Sequence, residues 1–380
     1  MKKNNQTPRD LRVAIVHDWL TGMRGGEKVL EVVCELFPQA ALFTLLHNKG
    51  AMSDIIENMN IRTSFIEKLP FKQEKYRNYL PIMPRAIESF DFMGYDLILS
   101  LSHCVAKGAI PKGNGLHICY CFTPMRYVWE LYDDYFGKQR AGAMTRLAMS
   151  FVAPYLRRWD VRSVDRVHHF VTSANNIATR ISRHYNRTAE VIPAPVDSKF
   201  FRMSRRNKGY YLMVSALVPY KRADLAIEAF NKIGKRLLIA GKGPELKKLA
   251  AFALPNIEFL GWQSDENLRE LYSNCRALIF PGVEDFGIVP LEAMASGKPA
   301  IAFAKGGALE TVVDRGKNAT GVFFYEQSAA ALIQAVQAFE KKRFNPSVIR
   351  KHAEQFSREK FKRKLQIYIA EKIRQHFKPL

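Results

Sequence analysis

Phe280-Pro281-Gly282-Val283-Glu284-Asp285-Phe286-Gly287-Ile288-Val289-Pro290-Leu291-Glu292-Ala293-Met294-Ala295-Ser296-Gly297-Lys298-Pro299 is the stretch from which the fold is read. An apolar run, Ala277 to Phe280, stops at Pro281-Gly282. A loop follows, and a short helix is predicted from Ile288. Pro290 falls in the first helical turn, where its missing N–H costs nothing. Gly297 followed by Pro299 reads as a helix stop. Glu284 lies in the loop ahead of the helix and Glu292 lies inside it. A strand–loop–helix unit of this kind aims unpaired backbone N–H groups and a positive dipole end at whatever lies in front of it. Gly287, without a side chain, lets the backbone approach a ligand closely. Two carboxylates flanking that spot can grip hydroxyls. The unit suits a ligand with an anionic middle and hydroxylated ends, as a nucleoside diphosphate sugar has.

The same strand–helix alternation runs backward and forward from this point. Upstream, Tyr211 to Ser215 is a predicted strand and Ala223 to Ile233 a helix. Leu237 to Ala240 is a strand that runs into Gly241-Lys242-Gly243-Pro244, with a helix from Glu245. Ile257 to Leu260 is a strand, and Asp265 to Ser273 a helix that Ser264 or Asp265 can cap. Downstream, Pro299 to Phe303 is a strand ending in Lys305-Gly306-Gly307. Helices over Ala329 to Lys341 and Ser347 to about Phe377, the second long and basic, close the chain.

A separate series opens the chain. Val13 to Val16 is an apolar, β-branched run that ends in His17-Asp18-Trp19. A loop with Gly22, Gly25 and Gly26 leads to a helix from Glu27 through Leu36. That is the β–loop–α opening of a doubly wound domain. Further strands are expected at Leu97 to Leu101, His117 to Cys121, Phe170 to Thr172 and Glu190 to Ile192. Arg62 to Phe92, a mixture of aromatic and basic residues, shows no regular period. Pro193-Ala194-Pro195 and the basic stretch Ser198 to Gly209, which includes Arg205 and Arg206, read as a linker. The expected architecture is α/β, with two Rossmann-like doubly wound domains facing a cleft: residues 10–197, completed by a returning terminal helix at 362–380, and residues 208–361.

Composition agrees with two ordinary domains: 380 residues, 47% hydrophobic and 25% charged. The net charge of +22 is far from average and points to an anionic partner, whether nucleotide, nucleic acid or lipid surface. Five scattered cysteines, with Cys119 and Cys121 spaced C-x-C, match neither a redox pair nor a zinc site, so a reducing cytoplasm is expected. The polar segment Met1 to Asp10 has no apolar core of a secretory signal, and no apolar run approaches the ~20 residues of a membrane span. Any membrane contact is therefore expected to be peripheral.

Three more stretches carry chemistry. Ser215-Ala216-Leu217-Val218-Pro219-Tyr220-Lys221-Arg222 brings two cations to a helix start, where they oppose the dipole unless an anion sits between them. Lys305-Gly306-Gly307-Ala308-Leu309-Glu310 reads equally as a phosphate or sugar cradle and as a plain turn. Gly22-x-x-Gly25-Gly26 matches neither the dinucleotide fingerprint nor a P-loop, and is either a flexible turn or a loop that admits a ligand. His17 and His103 follow strands, where cleft or core histidines both occur; His168-His169 reads as structural. No histidine, cysteine or paired-aspartate spacing suggests a metal. The last forty residues hold thirteen Lys/Arg against three Glu, either a solvated face or a surface for anionic lipid. Arg140 to Arg166 interleaves Met144, Leu147, Met149, Phe151, Tyr155, Leu156 and Trp159 with basic residues and is a second membrane-contact candidate.

From about Tyr210 to Phe324 these motifs together resemble the family-4 glycosyltransferases of GT-B fold. The resemblance lies in the E-x7-E pair Glu284 and Glu292, the V-P-x-K turn at Lys221, the Gly241-x-Gly243-Pro244-Glu245 turn and the Gly306-Gly307-x-x-Glu310 loop. The amino half is similar through His17-Asp18-Trp19-Leu20, Gly25-Gly26-Glu27-Lys28, Thr123-Pro124-Met125-Arg126-Tyr127-Val128-Trp129 and Val191-Ile192-Pro193. The whole looks most like bacterial mannosyltransferases of O-antigen and capsule assembly.

The resemblance implies a retaining hexose transfer from a nucleotide sugar, with GDP-mannose as donor and neither metal nor cofactor. Glu284 would hold donor sugar hydroxyls, Glu292 the ribose, and Lys221 the leaving diphosphate. Backbone N–H groups around Phe286, Gly287, Ile288 and Val289 would assist, with Arg222, Gly241, Gly306 and Gly307 nearby. His17, Asp18, Trp19, Gly25, Gly26, His103, Phe122 and Arg126 would line the acceptor side. Two positions depart from the family pattern: Ala216 stands where an arginine is usual, and Phe122 where a histidine is common. The expected acceptor is a lipid-linked glycan at the inner face of the cell membrane, with peripheral attachment to anionic lipid. The rivals are a nucleotide-sugar epimerase or hydrolase on this fold, and a nucleotide-sugar-binding scaffold of weak activity. The charge alone would also suit nucleic acid, but no reader motif is present and no specific nucleic-acid partner is expected.

Overall fold

The structure is a computed structural model that describes residues 11–130, 132–137, 142–204 and 207–377. Segment Met1 to Asp10, Arg140, Arg205 and Arg206 lie outside the described residues. The chain divides into two compact units, Met1–Pro193 with Phe361–Leu380, and Ala194–Lys360.

The first unit is built on seven parallel strands: β1 Val13–His17, β2 Ala41–Thr44, β3 Asn60–Thr63, β4 Leu97–Ser102, β5 Leu116–Cys121, β6 His169–Thr172 and β7 Ala189–Val191. Their spatial order is β3-β2-β1-β4-β5-β6-β7. β1, β4 and β5 are buried along their whole length, as expected of parallel strands covered on both faces. The order reverses between β1 and β4, whose register sets His17 beside Leu101. At such a switch point the loops leaving the two strands diverge and open a crevice.

The second unit repeats this plan with six parallel strands: β8 Tyr211–Val214, β9 Leu237–Ala240, β10 Ile257–Gly261, β11 Leu278–Phe280, β12 Ala300–Phe303 and β13 Gly321–Phe324. Their order is β10-β9-β8-β11-β12-β13, so the switch point lies between β8 and β11. The helix Ala223–Ile233 matches its expected span, and Ser264 caps the Asp265–Asn274 helix by accepting from the N–H of Asn267. Both units are therefore doubly wound, as the sequence implied.

Three expectations need correction. The basic terminal segment is not one helix. It forms Pro346–Ala353, a 3-10 turn at Glu354–Phe356, and Arg358–His376. The break is tertiary in origin: the N–H of Val196 donates to the carbonyl of Phe356 at 2.8 Å, and Val196 bridges to Ser357. Beyond it, Phe361, Leu365, Ile369 and Ile373 recur every fourth residue as a buried stripe, which ties the second helix to the first unit. The start of the expected linker is likewise fixed. Arg350 donates to the carbonyls of Ser198, Phe201 and Ala295, and Phe201 is buried. Within the expected membrane segment, the helix Ala143–Arg162 buries Met149, Leu156 and Trp159 in the core of the first unit, so these three serve packing.

Candidate active site

Four loops at the carboxyl ends of β8, β9, β11 and β12 build the site in the second unit, and glycines let their backbones interlock. The first loop runs from Ser215 through the Pro219–Lys221 turn to Arg222. A Cβ on Gly241 would collide with the Ser215 carbonyl, and one on Gly243 with that of Leu217. The N–H of Leu217 donates to the Lys242 carbonyl at 2.9 Å, closing the β8 loop on the β9 loop. A Cβ on Gly282 would stand 2.9 Å from the Cα of Lys221. The β11 loop meets the β12 loop through a Glu284–Gly306 bridge and a 2.8 Å bond from the Gly307 N–H to the Glu284 carbonyl. Side chains at Gly306 or Gly307 would overlap the Glu284 and Phe286 backbones. Gly241 and Gly306 need glycine for their dihedrals as well, at φ +142° and +67°.

This packing brings Lys221 and Glu284 into a direct ion pair, their side chains 16% and 22% exposed. Gly287, at φ +93°, is the N-cap of the helix Ile288–Ala295 and offers no side chain to cap its first N–H groups, which lack partners within the helix. Phe286 is buried against Phe356, with ring centres 6.0 Å apart. Glu292 is buried inside the helix and accepts a 2.8 Å bond from the Tyr272 hydroxyl. Burial and the Glu292 carboxylate together push the Tyr272 hydroxyl pKa upward, so it stays a donor. Arg222 adopts the left-handed region at φ 56° and donates to Asp224 at 3.1 Å.

In the first unit, a polar and aromatic cluster sits at the β1–β4 switch point. Asp18 is fully buried and accepts backbone N–H bonds from His103, Cys104, Val105 and Ala106 at 2.6–3.0 Å. Its Oδ2 also meets His103 Nδ1 at 2.9 Å. Burial works to raise the Asp18 pKa, but His103, His17 and the backbone donors prevail and hold it at about 2. His103 thus keeps Nδ1 as a donor and directs Nε2 away from Asp18. His17 is buried, with Nε2 3.5 Å from Glu27, whose carboxyl is lowered by that bond and by charge against the opposing effect of burial. Trp19 meets His103 edge-on at 4.5 Å, and Phe122 lies 6.4 Å from His17 and 6.5 Å from His103. Gly26 faces Phe122, where an added Cβ would lie 3.5 Å from the ring. Gly25 is exposed at the start of its helix, and Arg126 is half-buried in the turn after β5.

Sequence reasoning missed Tyr272 and the loop bonds to Asp18, since both depend on contacts between distant positions. It quoted Glu27 without a role. Its position three residues into a helix, accepting from the N–H of Arg24 at 3.1 Å, is a capping signal the sequence did carry. His168 is structural as expected: its Nδ1 accepts from the N–H of His117 at 2.9 Å.

Residues 197–363 match the family Glycosyl transferases group 1. This segment is a group 1 glycosyltransferase domain. The group 1 domain contains Lys221, Glu284, Glu292 and all four interlocked loops. Two curated relatives illustrate what the chain is similar to. It is 28% identical over 151 residues to an O-antigen chain mannosyltransferase of Salmonella typhimurium, covering 37% of this chain and 43% of the relative. It is 31% identical over 177 residues to a GDP-mannose-dependent phosphatidylinositol monomannoside mannosyltransferase of Mycobacterium tuberculosis, covering 39% and 45%. The chain thus spans less than half the length of the curated relatives it matches. Among solved structures, it superposes on Anabaena HepE in complex with UDP and glucose with a TM-score of 0.68 at 15% identity, over 95% of this chain and 99% of that one. The fold class is GT-B, two Rossmann-like units.

Proposed function

We propose that the protein is a retaining hexosyltransferase that moves mannose from GDP-mannose to a lipid-linked glycan of a cell-surface polysaccharide, without a metal, at the inner face of the cell membrane. The observation that carries this reading is the Lys221–Glu284 ion pair, set before the first turn of the Ile288–Ala295 helix in a group 1 domain. A diphosphate entering there takes Lys221 from Glu284. The released carboxylate then accepts from sugar hydroxyls, while Glu292 holds the ribose. The acceptor hydroxyl attacks C1 on the face the diphosphate leaves. The C1–O(phosphate) bond breaks as the new C1–O bond forms, and the acceptor proton passes to a departing phosphate oxygen. Lys221 and the helix N–H groups stabilise the charge that develops there. The relatives named as mannosyltransferases, one of them GDP-mannose-dependent, support the donor; the O-antigen relative supports the glycan acceptor.

The test is transfer by purified protein from labelled GDP-, UDP- and dTDP-sugars to extracted membrane lipid, with and without chelator. GDP-mannose should be used, chelator should leave the rate unchanged, and the anomeric configuration should be kept. Lys221→Ala and Glu284→Ala should each lower turnover by about 3 kcal/mol in activation free energy, the scale of a lost oxyanion contact. Near-wild-type rates in both variants would remove the mechanism. Rapid conversion of donor without acceptor would favour an epimerase or hydrolase.

A further inference from the structure

The helix Ala143–Arg162 has two faces of opposite character. Inward, Met149, Ala153, Leu156 and Trp159 join the core of the first unit. Asp160, the helix's one carboxylate, is also buried. It pairs with Lys107 at 3.0 Å and accepts from Trp129 and Tyr185 at 2.8 and 2.9 Å. Arg157 donates to the Val128 carbonyl at 2.7 Å and Trp159 to Glu88 at 2.6 Å. These bonds fix the rotation of the helix about its axis.

Outward, Met144, Leu147, Phe151 and Tyr155 are 87%, 64%, 75% and 43% exposed. Their spacing of three, four and four residues puts them on one stripe. Arg158 and Arg162, both exposed, continue that stripe for two more turns. Because Asp160 is buried, no carboxylate of the helix faces solvent. The stripe is an apolar wedge followed by guanidinium groups, on a chain of net charge +22. The terminal helix Arg358–His376 differs. Its exposed side is charged, with Ile367 as its one large exposed apolar residue, so it has no wedge.

We propose that the outward face of the Ala143–Arg162 helix seats the first unit on an anionic phospholipid bilayer, with Met144, Leu147, Phe151 and Tyr155 entering the headgroup–acyl boundary and Arg158 and Arg162 pairing with lipid phosphates. The partner is argued from charge complementarity: an apolar strip continued by two exposed arginines, on a helix whose one carboxylate is buried, matches a surface that is apolar beneath and anionic above. The inference rests on the lipid-linked acceptor reading and names the element that brings the enzyme to that acceptor.

The experiment is sedimentation of the full chain with vesicles of phosphatidylcholine plus phosphatidylglycerol, and of phosphatidylcholine alone. Wild type should bind the anionic vesicles. Met144→Ser/Leu147→Ser/Phe151→Ser should lose at least about tenfold in partitioning, as expected for removing three inserted side chains. Its unfolding temperature and its transfer to a short-chain, water-soluble acceptor should be unchanged. Arg158→Gln/Arg162→Gln should bind less and with a shallower salt dependence. All five native cysteines are buried. A fluorophore on Phe151→Cys can therefore report insertion by a blue shift that the same label on Glu266→Cys does not give. Equal binding by wild type and the triple variant would overturn the proposal while leaving the transferase reading intact. So would a wild-type dimer in ultracentrifugation that the triple variant loses, because the face would then belong to a protein contact. Parallel loss of transfer to the soluble acceptor would also overturn it, by placing the face in the catalytic machinery.

Discussion

Replacing Glu284 by Gln separates the two jobs assigned to that carboxylate, because the substitution should act with opposite sign on two ligands. In the free protein Glu284 neutralises Lys221, and the pair is only 16% and 22% exposed. A nucleoside diphosphate has to break that pair to reach the lysine. Exposed pairs are worth ~0–1 kcal/mol, and breaking a fully buried one costs ~3–5 kcal/mol. With about a fifth of each side chain still wet, a net value near the top of the exposed range, about 1 kcal/mol, is appropriate. The amide removes this competition, so Glu284→Gln should bind bare GDP about fivefold more tightly. For the nucleotide sugar the sign reverses. The carboxylate's charge-assisted bonds to sugar hydroxyls are lost, at ~1.5–3 kcal/mol, and turnover should fall by about a hundredfold. Lys221→Met should weaken both ligands. Calorimetric titration of the three proteins with GDP, UDP and dTDP, and with their sugar conjugates, measures each term. If Glu284→Gln weakened the bare diphosphate as much as the nucleotide sugar, Glu284 would not be competing for Lys221, and the ordering of the mechanism would be wrong.

Three further outcomes follow from named contacts. Asp18 lies below its ordinary value, at about 2 against 3.8, so its stabilisation is complete above about pH 4 and is lost as pH falls from about 4 toward 2; thermal unfolding should show that loss, and Asp18→Asn should cost about 2 kcal/mol at neutral pH and flatten the same part of the curve. Tyr272→Phe removes the hydroxyl that orients Glu292, so the preference for GDP over 2′-deoxy-GDP should shrink several-fold in calorimetry, at a stability cost of ~1–3 kcal/mol. Gly307 has an ordinary φ of −64°, so Gly307→Ala acts through overlap with the Phe286 backbone alone; melting should fall by the equivalent of ~1–3 kcal/mol, and kcat/KM should fall further because the displaced loop carries Glu284.

What the sequence made legible follows from where each signal is stored. β1, β8 and the helix Ala223–Ile233 are written locally, as apolar runs that end at turn residues, and their spans were close to those observed. β3 was not seen, because Asn60-Ile61-Arg62-Thr63 is an edge strand with alternating exposure and little apolar content. β2 and β13 were missed as well, each a short run of four residues. The break at Glu354–Phe356 has no glycine or proline to mark it; a pairing with Val196, far away in sequence, imposes it. Lys221, Glu284 and Glu292 were singled out by motif spacing, and the structure pairs the first two and buries the third against Tyr272. Tyr272 lies twenty residues from Glu292, and the amides that bind Asp18 lie 85–88 residues away, so no local pattern could announce them.

The glycines carry the deeper lesson. Read along the chain, Gly306 and Gly307 suggest either a cradle for a ligand or a plain turn, and Gly241 enters the site only through the family resemblance. In three dimensions Gly241, Gly243, Gly282, Gly306 and Gly307 each face the backbone of another loop, at Ser215, Leu217, Lys221, Glu284 and Phe286 respectively. They are required for packing whether or not a ligand ever touches them. That packing holds the Lys221 turn against Gly282 and the Glu284 loop against Gly306, and so fixes the lysine and the acid relative to each other before any substrate arrives. A site assembled this way has met its ordering cost during folding, and the binding energy of the nucleotide is left for parting the ion pair and for the transition state. Substitutions at these glycines should therefore resemble damage to Lys221 or Glu284 far more than loss of a ligand contact, even at Gly241, whose partner Ser215 begins the loop that ends in Lys221.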